Sequence, residues 1–84
     1  MAYQLHGEPL LIAWLATEAR RDMQDRVLAW VAQLLQDPAA IESERLPGPP
    51  ADVRVAFVPE TDVAVTFFVV DQYRVVRLME VRSL

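Results

Sequence analysis

The chain has 84 residues, with eight basic side chains, all arginine, against twelve acidic ones, a net charge of −4 and an isoelectric point near 4.7. That balance excludes a broadly basic nucleic-acid binder, and the length fits one domain spanning 1–84, which buries only about 60–65% of the surface its unfolded chain exposes. Hydrophobic residues make up 54% of the chain, too many for a disordered tail, and the absence of cysteine excludes disulfides and thiolate zinc sites and suits a reducing cytoplasm.

The first element expected is a short strand over 2–6, with Tyr3 and Leu5 on one face, too short to stand without a sheet edge beside it. Gly7-Glu8-Pro9 then opens a helix, because proline in the first turn gives up only an N–H that has no helical partner. From residue 9 to 36 apolar side chains recur three or four apart (Ile12, Leu15, Ala16, Ala19, Met23, Val27, Trp30, Val31, Leu34). The polar interval around Thr17 to Asp22 divides this stretch into two helices, 9–18 and 21–36, folded as a hairpin. Asp37-Pro38 closes the second, since the residue before proline is pushed out of helical geometry.

Residues 37–52 form a connector holding four of the six prolines, Pro38, Pro47, Pro49 and Pro50, with Gly48. After it the period changes to two. Ten of the twelve valines fall between residues 53 and 81, where a pleated surface suits their restricted χ1. Three strands at 53–58, 62–70 and 73–82 are expected as an antiparallel meander, with turns at Pro59-Glu60-Thr61-Asp62 and Asp71-Gln72. The middle strand is apolar on both faces. The fold class is therefore α+β, in the order β-α-α-β-β-β, with the helical hairpin on one face of a mainly antiparallel four-stranded sheet.

Little conventional catalytic chemistry is encoded. His6 is the only histidine, so no histidine metal cluster is expected. Ser43 and Ser83 are the only serines and cysteine is missing, so no nucleophilic triad can be assembled. Glu42 with Glu44, and Glu60 with Asp62, fall in loops where carboxylates meet water, and the two glycines belong to no phosphate-binding motif. No cofactor or metal is expected. The longest apolar run, residues 10–16, is far short of the about 18–20 needed to span a bilayer, so no membrane role is expected. The start of the chain has no basic region ahead of an apolar stretch, and a cytoplasmic location follows.

The arginines carry more information, because guanidinium grips phosphates and carboxylates in a fork that lysine lacks. A GC-rich genome is a compositional source for the bias. Arg54, Arg74, Arg77 and Arg82 all fall in the expected strands. On the last strand, Arg74, Glu80 and Arg82 share one side, while Tyr73, Val75, Met79 and Val81 face the helices with Arg77 as the misfit among them. Arg54 and Arg82 then meet Thr66 and Phe68 on an open sheet face, a cationic platform with an aromatic of the kind used on single-stranded nucleic acid, or a solvated face with local ion pairs. Trp14 and Trp30 lie in the helical stripe and are expected in the core.

The strand, the hairpin ending Leu34-Leu35-Gln36-Asp37-Pro38, the Arg45-Leu46-Pro47-Gly48 loop, the Val69-Val70-Asp71 strand end and the valine-rich 75–82 segment together resemble the RelE/ParE toxin superfamily of bacterial type II toxin–antitoxin systems. The resemblance spans almost the whole chain. It implies a toxin-like protein that binds a macromolecular target, the ribosome with its mRNA in one branch and DNA gyrase in the other, and is neutralised by a cognate antitoxin. It places Arg54 where a basic residue of the second strand is expected and Ala64 where the family has an arginine, and offers Arg82 near the basic terminal segment. The nuclease residues are thus expected to be degenerate. Three functions stay open: a binding toxin that engages its target through Arg54, Thr66, Phe68, Arg74 and Arg82, a ribosome-dependent endoribonuclease with Arg54 and Arg82 as catalytic residues, and a non-toxic interaction module or homodimer using Leu10, Leu11, Trp14 and the second face of the middle strand. Whether the protein is an enzyme is left undecided by these residues.

Overall fold

The structure, a computed structural model, describes residues 2–47 and 53–84. Gly48, Pro49 and Pro50 of the expected connector, and the Gly48 end of the Arg45-Leu46-Pro47-Gly48 motif, lie outside the described residues.

The strands are β1 (Gln4–His6), β2 (Glu44–Arg45), β3 (Val53–Phe57), β4 (Val63–Val70) and β5 (Val75–Ser83), and the helices are α1 (Glu8–Thr17) and α2 (Arg21–Gln36). The α+β class holds, and the antiparallel meander β3-β4-β5 is present. The sheet has five strands where four were expected, in the order β1-β5-β4-β3-β2. β1 takes the β5 edge in parallel, and the added strand β2 is two residues of the proline-rich connector lying antiparallel on β3. A two-residue Glu-Arg strand has no period to display, so only its pairing to β3 reveals it.

Gly7 is the pivot between β1 and α1. Its φ of 88° is left-handed, and a Cβ there would stand 2.8 Å from the carbonyl oxygen of Leu78, so the chain crosses β5 at a distance only glycine permits. At the other end of α1, Gln24 of α2 donates its side-chain N–H groups to the carbonyls of Leu15 and Glu18, at 3.1 and 2.6 Å. Those are carbonyls that a helix C-terminus leaves without partners, and their satisfaction fixes the hairpin turn. Arg20 adds ion pairs from this turn to Glu18 and, across to the β3–β4 turn, Asp62.

The two helices cover one face of the sheet. Val27, Trp30, Val31 and Leu34 of α2 and Leu11 and Trp14 of α1 meet Ala56, Val63, Val65, Phe67, Val76 and Leu78 in one core. Phe67 is fully buried and stands edge-on to Trp30, with ring centroids 6.2 Å apart, and Trp14 reaches the core while its indole N–H donates to the Ser83 hydroxyl at 2.9 Å. Both tryptophans thus take the expected core role. The stripe on α1 is shifted, however: Ile12 is 63% exposed and Leu11 is buried. A helix apolar on every side carries no moment to choose its face, so the choice comes from β5 beneath it. Burial of Leu11 and Trp14 inside the chain also removes both from the subunit contact considered for them.

The reading of β5 needs the largest correction. Val76 and Leu78, not Val75 and Met79, are the buried side chains, and Arg77 points away from the helices. Opposite the consecutive pair Thr66 and Phe67 of β4 stand Glu80 and Leu78 of β5, so Met79 is an extra residue in a β-bulge. Counting by two through that bulge assigns half the strand to the wrong side. Arg74 is not in the strand at all. It sits in left-handed geometry, φ 51°, after a 3-10 turn over Asp71–Tyr73.

Candidate functional site

Of the sheet's two faces, one lies under the helices and the other carries no helix. On the helix-free face, side chains from neighbouring strands, about 4.8 Å apart, line up in rows across the sheet. One row runs His6, Arg77, Phe68, Val53; the next carries Glu80, Thr66 and Val55; the third carries Arg82, Ala64 and Phe57. Arg77, Arg82, His6 and Phe57 are exposed, and Thr66 and Phe68 are half-buried. The face therefore combines apolar and aromatic ground with exposed side chains of both charges, Arg77 and Arg82 with Glu80 and Glu44 in the row between them.

Neither Arg77 nor Arg82 makes an ion pair with a described residue, whereas Arg20, Arg21 and Arg26 are all engaged, with Glu18 and Asp62, Asp25, and Glu60 respectively. This contrast separates the arginines that staple the fold from the pair left facing solvent. Arg77 lies on the opposite side from the one that period-two counting assigns it. The signal that could have found it is the pair of apolar residues flanking it, Val76 and Leu78, which together ask for the core side.

The expected platform of Arg54, Arg82, Thr66 and Phe68 is divided by the register. Thr66, Phe68 and Arg82 share the open face. Arg54 is paired with Phe67 and so lies on the helix side, three positions along β4 from the Ala64 level of Arg82. The alternation of β3 is opposite to the simplest reading: Ala56 and Val58 enter the core against Val65 and Val63, while Val53, Val55 and Phe57 take the open face. Arg54 and Arg82 are thus on opposite sides of the sheet and do not converge on one reacting group.

Arg54 instead borders a hollow of about 90 Å³ at the end of the sheet, with Tyr3, Asp37 and Asp71. The Tyr3 hydroxyl donates to Asp71 at 2.7 Å, and the guanidinium of Arg74 lies 5.6 Å from the centre of the Tyr3 ring. The bond to Asp71 is the main reason the Tyr3 hydroxyl titrates above its ordinary value, because ionisation would remove the donor. Arg54 also donates to the Ser43 hydroxyl at 3.3 Å. Arg74 and Arg54 are thereby tied to this end of the sheet rather than to the row around Phe68. At the opposite end, the hydrogen bond from Arg20 holds the Glu18 carboxyl below the usual carboxylate range.

Among the described residues no group of three or more histidine or acidic side chains is placed to hold a metal ion, and no helix is long and apolar enough to cross a membrane.

A helical hairpin laid over one side of such a sheet, entered by a parallel edge strand, is the fold of the RelE-like toxins. The chain superposes over its full length, and over 93% of the partner chain, on a chain of the toxin–antitoxin complex RelBE2 from Mycobacterium tuberculosis, with a TM-score of 0.71 at 12% identity. It matches the free, doubly substituted E. coli toxin RelE over 96% of this chain and 82% of that one, with a TM-score of 0.68 at 24% identity. No family model and no curated protein matches the sequence. The expected RelE-like fold is present, at a sequence distance consistent with a divergent chain.

Proposed function

We propose that the protein is the toxin component of a cytoplasmic toxin–antitoxin pair, that it acts by binding a macromolecular target through the helix-free sheet face, and that a cognate antitoxin neutralises it. The observation that carries this reading is the pairing of a RelE-like fold with two exposed arginines, Arg77 and Arg82, that make no ion pair with a described residue and stand near Phe68 and Thr66 on the uncovered side of the sheet. Exposed guanidinium groups supply phosphate or carboxylate recognition and Phe68 supplies a flat apolar contact. Arg54, on the helix side, and Arg74, over the Tyr3 ring beside Asp71, lie outside this surface. A net charge of −4 gives no long-range attraction to an anionic target, so contact depends on this local patch.

The test is induced expression in a bacterial host with and without the neighbouring small gene. Growth arrest relieved by the neighbour supports the reading, and loss of arrest in Arg77→Ala/Arg82→Ala, with the fold intact by circular dichroism, locates the surface. Unimpaired growth on strong expression of folded protein overturns it. Analysis of mRNA and of plasmid topology in arrested cells separates a ribosomal from a gyrase target.

A second reading, cleavage of RNA, is favoured by one observation: His6 is directly across the ladder from Arg77. An imidazole able to move a proton then stands beside a group able to hold a phosphate. Arrest with mRNA cleavage that disappears in His6→Ala supports it. Arrest that survives that change leaves the binding mechanism alone.

A further inference from the structure

The two tryptophans are buried to the same degree, each 6% exposed, yet their indole N–H groups meet different surroundings. Trp14 donates to the Ser83 hydroxyl, whereas the Trp30 N–H has no acceptor among the described residues. A buried tryptophan usually finds a partner for this donor, because an unpaired one forfeits the hydrogen bond it makes in water. The Trp30 N–H is not sealed inside the core, and the opening that Trp30 lines is a groove of about 640 Å³ between α2 and the β2–β3 end of the sheet. That volume lies within the range of clefts that hold small ligands.

The depth and the rim of this groove differ in chemistry. Ala56, 1% exposed, and the half-buried Ile41 give the depth an apolar lining beside the Trp30 ring. Ser43, also half-buried, accepts a hydrogen bond from Arg54 at 3.3 Å, so its oxygen is engaged while its own O–H has no acceptor among the described residues. Two donors, the Trp30 N–H and the Ser43 O–H, therefore border the same space. Among the described residues around the groove the only charged ones are Glu42 and Glu44, both exposed and neither in an ion pair with a described residue. Glu44 acts from across the sheet edge, since its side chain belongs to the row of Val55 and Thr66. Donors in the depth call for an acceptor, the lining for a flat apolar body, and the carboxylates for positive charge at the mouth.

We propose that this groove is a binding site for a small planar organic cation bearing a carbonyl group. The carbonyl accepts from Trp30 and Ser43, the ring lies against Trp30, Ile41 and Ala56, and the charge is turned toward Glu42 and Glu44. This goes beyond the toxin reading and uses the helix side of the sheet, away from Arg77 and Arg82, so either can fail alone.

The full chain is titrated with 1-methylnicotinamide and followed by two-dimensional NMR of the two indole N–H signals, Trp30 reporting the site and Trp14 serving as the internal control. Nicotinamide and nicotinate keep the ring while removing or reversing the charge, and 1-methylpyridinium keeps the charge while removing the carbonyl. The methylated amide should bind in the millimolar range, as about ten non-hydrogen atoms allow, shifting Trp30 and leaving Trp14 in place. Nicotinamide should bind about threefold more weakly and nicotinate about tenfold or more. 1-Methylpyridinium should lose about two- to tenfold, the value of one hydrogen bond. Glu42→Gln/Glu44→Gln should bring the cation and its neutral analogue to equal affinity, and Ser43→Ala should narrow the gap between 1-methylnicotinamide and 1-methylpyridinium. Arg77→Ala/Arg82→Ala should leave the affinity unchanged. The proposal is overturned if nicotinate binds as well as the cation, if both indole signals move together, or if the Arg77 and Arg82 changes abolish binding. It is also overturned if Trp30 does not respond at about 20 mM probe.

Discussion

The central strand β4 shows one backbone serving two environments. Its odd positions, Val63, Val65 and Phe67, have no exposed surface, whereas Ala64, Thr66 and Phe68 on the reverse side are half-buried with no helix above them. Phe67 and Phe68 are neighbours in sequence with the same side chain. One is packed by Trp30 from α2; the other is flanked by Arg77 and Val53 on a face open to a partner. The difference teaches that apolar residues on both sides of a strand do not imply two covered sides. Here the second side carries no helix and leaves Phe68 half-buried.

The largest expected effect is on the covered side. Phe67→Ala should lose about 3–5 kcal/mol, enough to unfold much of so small a domain, whereas Phe68→Ala should cost roughly 1–2 kcal/mol while abolishing growth arrest; urea unfolding of both variants makes the comparison. Equal losses would erase the distinction between the faces. Gly7→Ala ranks next, at about 1–3 kcal/mol or more, because the added methyl meets both a left-handed backbone and the Leu78 carbonyl. Ser83→Ala, which leaves the Trp14 indole N–H without its acceptor, should cost about 1 kcal/mol, read as a drop in thermal midpoint. Smallest in stability is Arg77→Ala/Arg82→Ala, within about 0.5 kcal/mol of the parent, although its effect on growth arrest should be large.

Titration sharpens the same map without a mutation. The Glu18 carboxyl has a lowered pKa, so its bond to Arg20 contributes fully above the ordinary carboxylate value of 4.5 and is lost as pH falls below it. Tyr3 has a raised pKa, so its bond to Asp71 contributes fully below 10.0 and is lost as pH rises past that value. Glu18→Gln should therefore flatten the acid limb of a stability profile, and Tyr3→Phe the alkaline limb, each leaving the other limb unchanged.

The sequence made the element order, the helical hairpin and the meander readable because each has a period long enough to count. Where periodicity was absent or broken, it misled. α1 is apolar on every side and so does not declare Leu11 over Ile12 as the buried residue. β2 has two residues and exists through β3. Arg77 was counted inward because Met79 interrupts the alternation, and Arg54 was counted outward because the buried side of β3 carries an arginine and an alanine, Arg54 and Ala56, while the bulkier apolar Val53, Val55 and Phe57 look outward. The candidate site was legible in its Thr66, Phe68 and Arg82 members and hidden in Arg77, whose position depends on a bulge that only the pairing with β4 reveals.

That bulge makes Met79 a spare link in the chain. Removing one residue from a regular strand sends every later side chain to the opposite face. Removing Met79 would instead leave Leu78 opposite Phe67 and Glu80 opposite Thr66, with Val81 and Arg82 keeping their sides. The strand can shorten by one residue and keep its sense, so homologous chains can differ in length here without exchanging inside for outside.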